Sequence, residues 1–278
     1  MAWTPRRIQL LAVSVPVFWA GMFLLEYYWS TKFPVFSIAL LGALLLALAF
    51  LSYRKLVLNF QLLRKEARDG FAQVDSWLRL YERLQLRRSL PRMRSFAASP
   101  DLLNLMIDLV EEAKPNLIVE CGSGVSTLVN GYLLEKMGKG KVIASEHHAQ
   151  FGAESSQRIQ EHGLDAFAKV RIAPLEKQVL AGKEWWWYAA QGWTTLQQID
   201  LLIVDGPPDA TQDQARYPAL PLLWDHLSPH AVILVDDCIR ATDRTAVERW
   251  LREFPELSAT WISTEKGACI LRRNAATH

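Results

Sequence analysis

Asn116-Leu117-Ile118-Val119-Glu120-Cys121-Gly122-Ser123-Gly124-Val125-Ser126-Thr127 is the stretch that decides the fold. A short apolar run closes on an acid and two glycines, and helix-forming sequence follows. That pattern marks a strand feeding a helix through a glycine turn. The alternation continues outward. After a helix over 126–137, closed by Gly138 and Gly140, the sequence predicts strands over 141–145, 168–173, 199–204 and 231–235. Helices are predicted over 153–162, 217–227 and 242–254. Strands over 258–263 and 268–272 are separated only by the turn Thr264-Glu265-Lys266-Gly267, so they form an antiparallel hairpin. These elements predict an α/β fold: a Rossmann-like doubly wound sheet, mostly parallel, with an antiparallel C-terminal hairpin. Ligands of such sheets bind at the carboxyl ends of the strands, near the switch point in strand order.

N-terminal to this domain the composition changes. The chain has 278 residues, 31 Lys+Arg against 29 Asp+Glu, and only three cysteines, which excludes a disulfide framework. Residues 1–95 hold 14 basic and 5 acidic side chains, whereas 96–278 hold 17 and 24. A mildly acidic domain argues against nucleic acid as a partner. Residues 8–25 and 33–53 carry no charge. As helices these runs span roughly 27–32 Å, the thickness of a hydrocarbon core. The sequence therefore predicts two transmembrane helices, a hairpin over 1–53, with an aromatic turn at Tyr27, Tyr28 and Trp29. A signal peptide would have a shorter core and no second span. Arg6 and Arg7 before the first run, and Arg54, Lys55, Arg64 and Lys65 after the second, place both termini in the cytoplasm by the positive-inside rule. The expected location is the inner (cytoplasmic) membrane, multi-pass, with the folded domain cytoplasmic. Residues 54–98 form a basic amphipathic stem. Its apolar residues recur at helical spacing (Leu56, Phe60, Leu63, Ala67, then Val74, Trp77, Leu78, Tyr81 and Leu84), with Gly70 as its weak point. That face suits membrane lipids or a homo-oligomer through the stem. The folded domain, 99–278, starts at Ser99 as an N-cap ahead of Pro100.

The chemistry-bearing residues fall at the strand ends. Glu120, Gly122, Ser123 and Gly124 follow the first strand, and Glu146 ends the second, 24 residues after Gly122. That offset suits a carboxylate accepting hydrogen bonds from a ribose diol. A dinucleotide site would want a third glycine at 127, where Thr127 stands, so no bound pyrophosphate is implied. The reading is an adenosine-type cofactor.

On these blocks, with "IDLLIVDGPP" at 199–208 and "AVILVDDCIR" at 231–240, the domain resembles the class I S-adenosylmethionine-dependent methyltransferases, closest to their small-molecule O-methyltransferase-like group. The resemblance covers residues 115–273. It implies S-adenosylmethionine as cofactor, with Glu120, Gly122 and Gly124 along its methionine moiety and Ser126 or Thr127 at its carboxylate. It implies Glu146 at the ribose, and His147 with Pro174-Leu175 near the adenine.

Asp205, Asp236 and Asp237 end two strands expected to be neighbours. Three carboxylates there suit a hard divalent cation such as Mg2+. Similar triads in catechol-type relatives hold magnesium, which grips a substrate hydroxyl. Asp205 and Asp236 are therefore also catalytic candidates. Relatives often place a Lys or His base three residues after the first aspartate. Here that position is Pro208, so the base would be His226, His230, Asp209 or metal-bound solvent. Trp185-Trp186-Trp187-Tyr188 is either a stacking platform, a membrane-dipping lid or a packed cluster. Arg240 is an anion ligand or an ion-pair partner, and Cys121, Cys238 and Cys269 are core residues. The expected function is membrane-tethered methyl transfer to a small-molecule or lipid-linked hydroxyl acceptor. The alternative is a non-catalytic, membrane-anchored cofactor-binding or scaffold protein on the same fold.

Overall fold

The computed structural model describes residues 5–28, 34–91 and 97–273. The chain divides into two compact units, 1–68 and 69–278. In the first, α1 (Pro5–Tyr28) carries Pro16 in its interior, and α2 (Pro34–Arg83) begins. Among the described residues one helix, Ser37–Arg83, is long and apolar enough to cross a membrane by length and composition. The other apolar stretch, Val13–Leu25, is shorter. The turn between the two expected spans, 29–33, lies outside the described residues. Gly70, the expected weak point, lies within α2.

The second unit takes in the last turns of α2. Leu80 and Leu84 are buried with Leu102, Leu103 and Met106 of α3 (Pro100–Ala113). Arg83 clamps that packing through Asp108 at 2.6 Å and Glu111 at 2.7 Å. Ser99 precedes α3 in extended conformation, with Pro100 as its first helical residue. Then follow β1 (Leu117–Cys121), α4 (Val125–Met137), β2 (Lys141–Glu146), α5 (Ala149–Glu161) and β3 (Ala168–Ile172). A separate hairpin comes next, β4 (Leu175–Leu180) and β5 (Lys183–Tyr188). The chain ends with β6 (Ile199–Val204), α6 (Ala219–Leu223), β7 (Leu227–Val235), α7 (Ala241–Glu253), β8 (Leu257–Ile262) and β9 (Ala268–Arg273).

The main sheet has the order β3-β2-β1-β6-β7-β9-β8, with only β9 antiparallel to its neighbours. The order reverses between β1 and β6, so the crevice at their carboxyl ends is the expected ligand site. Both faces of the sheet are covered, and alternate residues serve alternate layers. Ile118, Val142, Leu201, Ile203 and Val232 join α3 and α4 on one side. Val119, Ile143, Leu202, Val204 and Ile233 join the hairpin, α6 and α7 on the other. This two-sided burial is why these strands read as unbroken apolar runs.

Two expectations change. The aromatic tetrad is a strand: Trp185 and Trp187 are buried on one face of β5 while Trp186 points outward. A period of two explains both halves of the reading. The helix expected over 217–227 is only α6 and a 3-10 turn, and β7 starts at Leu227. Pro218 and Pro221 confine the helix to its first turns, where a missing amide costs least.

Candidate functional site

Glu120, the penultimate residue of β1, is almost fully buried. Its Oε2 accepts from Thr127 Oγ1 at 2.6 Å and Ser126 Oγ at 3.3 Å, and its Oε1 accepts from Asn130 Nδ2. Burial pushes this carboxyl up to about 7 against those hydrogen bonds. The net has a second use. Thr127 Oγ1 also accepts from the Gly124 amide at 3.2 Å, closing the first turn of α4. Thr127 is thereby fully buried and its hydroxyl spent, so the structure corrects its expected place at a ligand carboxylate. Gly122 has φ +106°, which a side chain rarely adopts. At Gly124 an added Cβ would meet nothing within 4 Å, so a ligand can approach the backbone there.

Glu146 ends β2 across from this turn. Its Oε2 accepts from the Ser123 amide at 3.2 Å and the Ser123 hydroxyl at 3.1 Å, and its Oε1 accepts from the His148 amide at 2.9 Å. His147 Nδ1 lies 3.1 Å from Oε1. Burial alone would raise the Glu146 carboxyl, but His147, His148 and Ser123 outweigh it and hold it below the ordinary value. Leu175 opens the hairpin opposite Tyr188, packed against the core. The Tyr188 hydroxyl is buried and unpartnered, against Gly206.

The three aspartates do converge. One ligand atom from each of Asp205, Asp236 and Asp237 lies within 4.8 Å of the others. Their partner is a residue the sequence did not point to. Arg216, in the loop before α6 and nearly fully buried, donates to the Asp236 carbonyl at 2.7 Å and to Asp205 Oδ1 at 3.2 Å. It also bonds Asp237 Oδ2, and its Nε lies 3.6 Å from Asp243. Burial opposes its charge, but Asp205, Asp243 and Asp237 raise its pKa above the ordinary value. Nothing around Arg216 is periodic or glycine-rich, so local sequence carries no signal of this role. Arg240 pairs with Asp237 at 3.0 Å, which makes it an ion-pair partner. Asp237 itself sits at φ +59°, a left-handed conformation that aspartate tolerates better than most residues.

Asp236 is different. Neither of its carboxylate oxygens has an aligned hydrogen-bond partner; the Asp237 amide favours its charged form without closing a bond. Burial, then repulsion from Asp237, raises it to about 6. Asp205 is raised well above the usual carboxylate range by burial and then by Asp236. It keeps 23 % of its side-chain surface, so repulsion is the part of that shift which the geometry secures.

His226 and His230 are not at this site. Asp236 follows the carboxyl end of β7, while His226 precedes its first residue and His230 lies in its first half. At about 3.3 Å per residue they are roughly 30 Å and 20 Å away along the strand. His226 instead meets the Leu196 carbonyl at 2.6 Å and Gln197 at 2.9 Å. Cys121, Cys238 and Cys269 are free and buried, as core residues.

Residues 119–238 match the family model described as a methyltransferase domain. Solved structures share the fold. The Podospora anserina methyltransferase PaMTH1, bound to SAH, is 18% identical with a TM-score of 0.51, covering 73% of this chain and 88% of its own. An O-methyltransferase from Bacillus cereus in complex with SAH is 17% identical with a TM-score of 0.50, covering 66% and 84%. TomG from Streptomyces achromogenes, an O-methyltransferase in complex with SAM, is 16% identical at 0.50, covering 65% and 82%. No curated protein matches the chain in sequence. Residues 119–238 thus resemble a methyltransferase domain in sequence, and the folded unit shares the Rossmann-like sheet of these solved structures.

Proposed function

We propose that this domain transfers the methyl group of S-adenosylmethionine to a hydroxyl oxygen of a small or lipid-linked acceptor, at the cytoplasmic face of the membrane that holds the N-terminal helices. The observation that carries the reading is the convergence of Glu120, Glu146 and the three aspartates on the carboxyl ends of β1, β2, β6 and β7. Ribose hydroxyls would take the place of the Ser123 hydroxyl on Glu146, and that hydroxyl already has Ser155 at 3.0 Å as a second partner. The open space at Gly124 suits the methionine moiety. An acceptor would come between Asp205 and the hairpin that rises from β3. The exposed large apolar residues there, Val179, Trp186 and, beyond Asp237, Ile239, favour a hydroxyl compound with an apolar body. Asp205, partly open to solvent and raised in pKa, is placed to take the hydroxyl proton.

The aspartates also fit Mg2+. Asp236 offers two unpartnered oxygens in a buried setting, the kind of group a cation satisfies. Asp205, Asp236 and Asp237 would hold it. When bound, such an ion lowers the pKa of a hydroxyl it contacts. Arg216 holds Asp205 and Asp237 in place from the protein side.

Two binding measurements test the cofactor site. Glu146→Ala is expected to weaken S-adenosylmethionine binding by ~1.5–3 kcal/mol, the scale of charge-assisted hydrogen bonds. By calorimetry this reads as roughly 10- to 150-fold; unchanged affinity in a folded variant removes Glu146 from the ribose. The second measurement follows protons. With Glu120 near 7, a cationic ligand group beside it favours the ionised form, so binding at neutral pH releases protons and affinity rises as pH climbs through 7. Calorimetry in buffers of different ionisation enthalpy detects the release. It should vanish in Glu120→Gln. Topology is read separately: reporters fused after Trp29 should report the periplasm, and those after Tyr53 or at His278 the cytoplasm. A periplasmic signal at His278 would refute the reading, because the methyl donor is cytoplasmic.

A further inference from the structure

Tyr188 ends β5, in the two-stranded hairpin that stands apart from the main sheet. Its side chain is 1 % exposed, and its hydroxyl has no hydrogen-bond partner among the described residues. Leaving a buried hydroxyl unbonded costs stability, and packing does not call for it, because phenylalanine would fill the same space. Its surroundings say what it could serve. A Cβ added at Gly206 would overlap the Tyr188 hydroxyl and lie 3.1 Å from the Cys121 carbonyl oxygen. On the other side of the same loop, a Cβ added at Gly122 would come within 3.8 Å of the Asp205 carbonyl and 4.0 Å of the Gly206 nitrogen. The Tyr188 ring meets that of His147, next to Glu146, edge-on at 6.2 Å. The hydroxyl therefore stands where the glycine turn after β1, the acid after β2 and the Asp205 loop after β6 approach one another.

On the cofactor reading proposed above, Gly122 and Gly124 face the methionine moiety, Glu146 the ribose and Asp205 the acceptor. The sulfur of S-adenosylmethionine is bonded to the methionine chain, to the ribose-bearing carbon and to the methyl group, so it belongs where those three regions meet. We infer that the Tyr188 hydroxyl faces this sulfonium centre and makes the site prefer the charged methyl donor to its neutral product, S-adenosylhomocysteine. The inference rests on that cofactor reading. Burial, then Cys121 and Glu146, holds the phenol well above its ordinary pKa against the pull of Arg216, so it stays neutral. A hydroxyl without a partner is free to turn its oxygen toward a cation. In a buried setting such a dipole counts for more than in water. S-adenosylhomocysteine keeps the methionine and adenosine parts but carries no charge at sulfur, so the attraction is lost once the methyl group has left.

Calorimetry of the full-length, detergent-solubilised chain with both ligands tests this. Tyr188→Phe keeps the ring and removes the hydroxyl. It is expected to weaken S-adenosylmethionine by about 5- to 10-fold, the scale of one hydrogen bond, and to leave S-adenosylhomocysteine within about twofold. A merely structural role would move both ligands together. An equal loss on both, or no loss on either, would overturn the inference. A parent chain that binds neither ligand would overturn the cofactor reading itself, and this inference with it. A second measurement needs no ligand. Gly206→Ala puts a methyl group where the hydroxyl stands, so it is expected to lower the melting temperature, and Tyr188→Phe in the same chain should recover most of that loss. Losses that simply add would show that the hydroxyl does not lie against Gly206, which also overturns the inference.

Discussion

Replacing Arg216 by methionine is expected to cost about 3–5 kcal/mol of stability, the scale for breaking a buried ion pair by removing one partner. The guanidinium is the nearest positive charge to Asp205, Asp237 and Asp243, and none of these can leave the crevice at the ends of β6 and β7. For a domain of this size the loss lowers the melting temperature by roughly 6–20 °C. The sign of the pH dependence is fixed. Without Arg216, which lowers both, Asp205 and Asp243 titrate at higher pH, so acidification protonates them and the deficit shrinks as pH falls. Adding Asp237→Asn should recover part of the loss, because one of the stranded charges goes with it. Thermal melting followed by near-ultraviolet circular dichroism measures all three. A variant that melts like the parent would show that Arg216 is not the counter-ion of this cluster.

Asp236→Asn is expected to have the largest effect on catalysis. It keeps the volume and removes the charge at a buried carboxylate neither of whose oxygens has an aligned partner among the described residues. Turnover of an accepted acceptor should drop by ~100-fold or more, the scale of losing a group that acts mainly in the transition state. Cofactor affinity should stay within about threefold, since Glu120, Gly124 and Glu146 are untouched. Chelation should stop the parent enzyme, and added magnesium or manganese should restore it. Full activity in excess chelator, with Asp236→Asn still inactive, would assign Asp236 a role without a metal. An active Asp236→Asn would take it out of the chemistry altogether.

The order of strands and helices in the folded unit was legible in the sequence because a parallel sheet covered on both faces writes itself as short, unbroken apolar runs. Four of the five parallel runs end where a glycine or an acid stands, which is why Glu120, Glu146, Asp205 and Asp236 read as strand-end residues in the sequence. The terminal hairpin was legible because four turn residues cannot hold a crossover. The tertiary structure alone decided what those ends meet. Arg216 is 11 residues from Asp205 and 21 from Asp237, on a loop with no periodicity, and only the adjacency of β6 and β7 brings it between them. Thr127 reads as a ligand contact until Glu120, buried seven residues earlier, is seen to need a donor. His226 and His230 sit close to Asp236 in sequence, but a strand is extended, so a few residues along β7 carry them to the opposite end of the sheet. Local sequence reports burial and periodicity, which are properties of one element. Charge pairing across elements depends on how the elements are stacked, and the fold sets that.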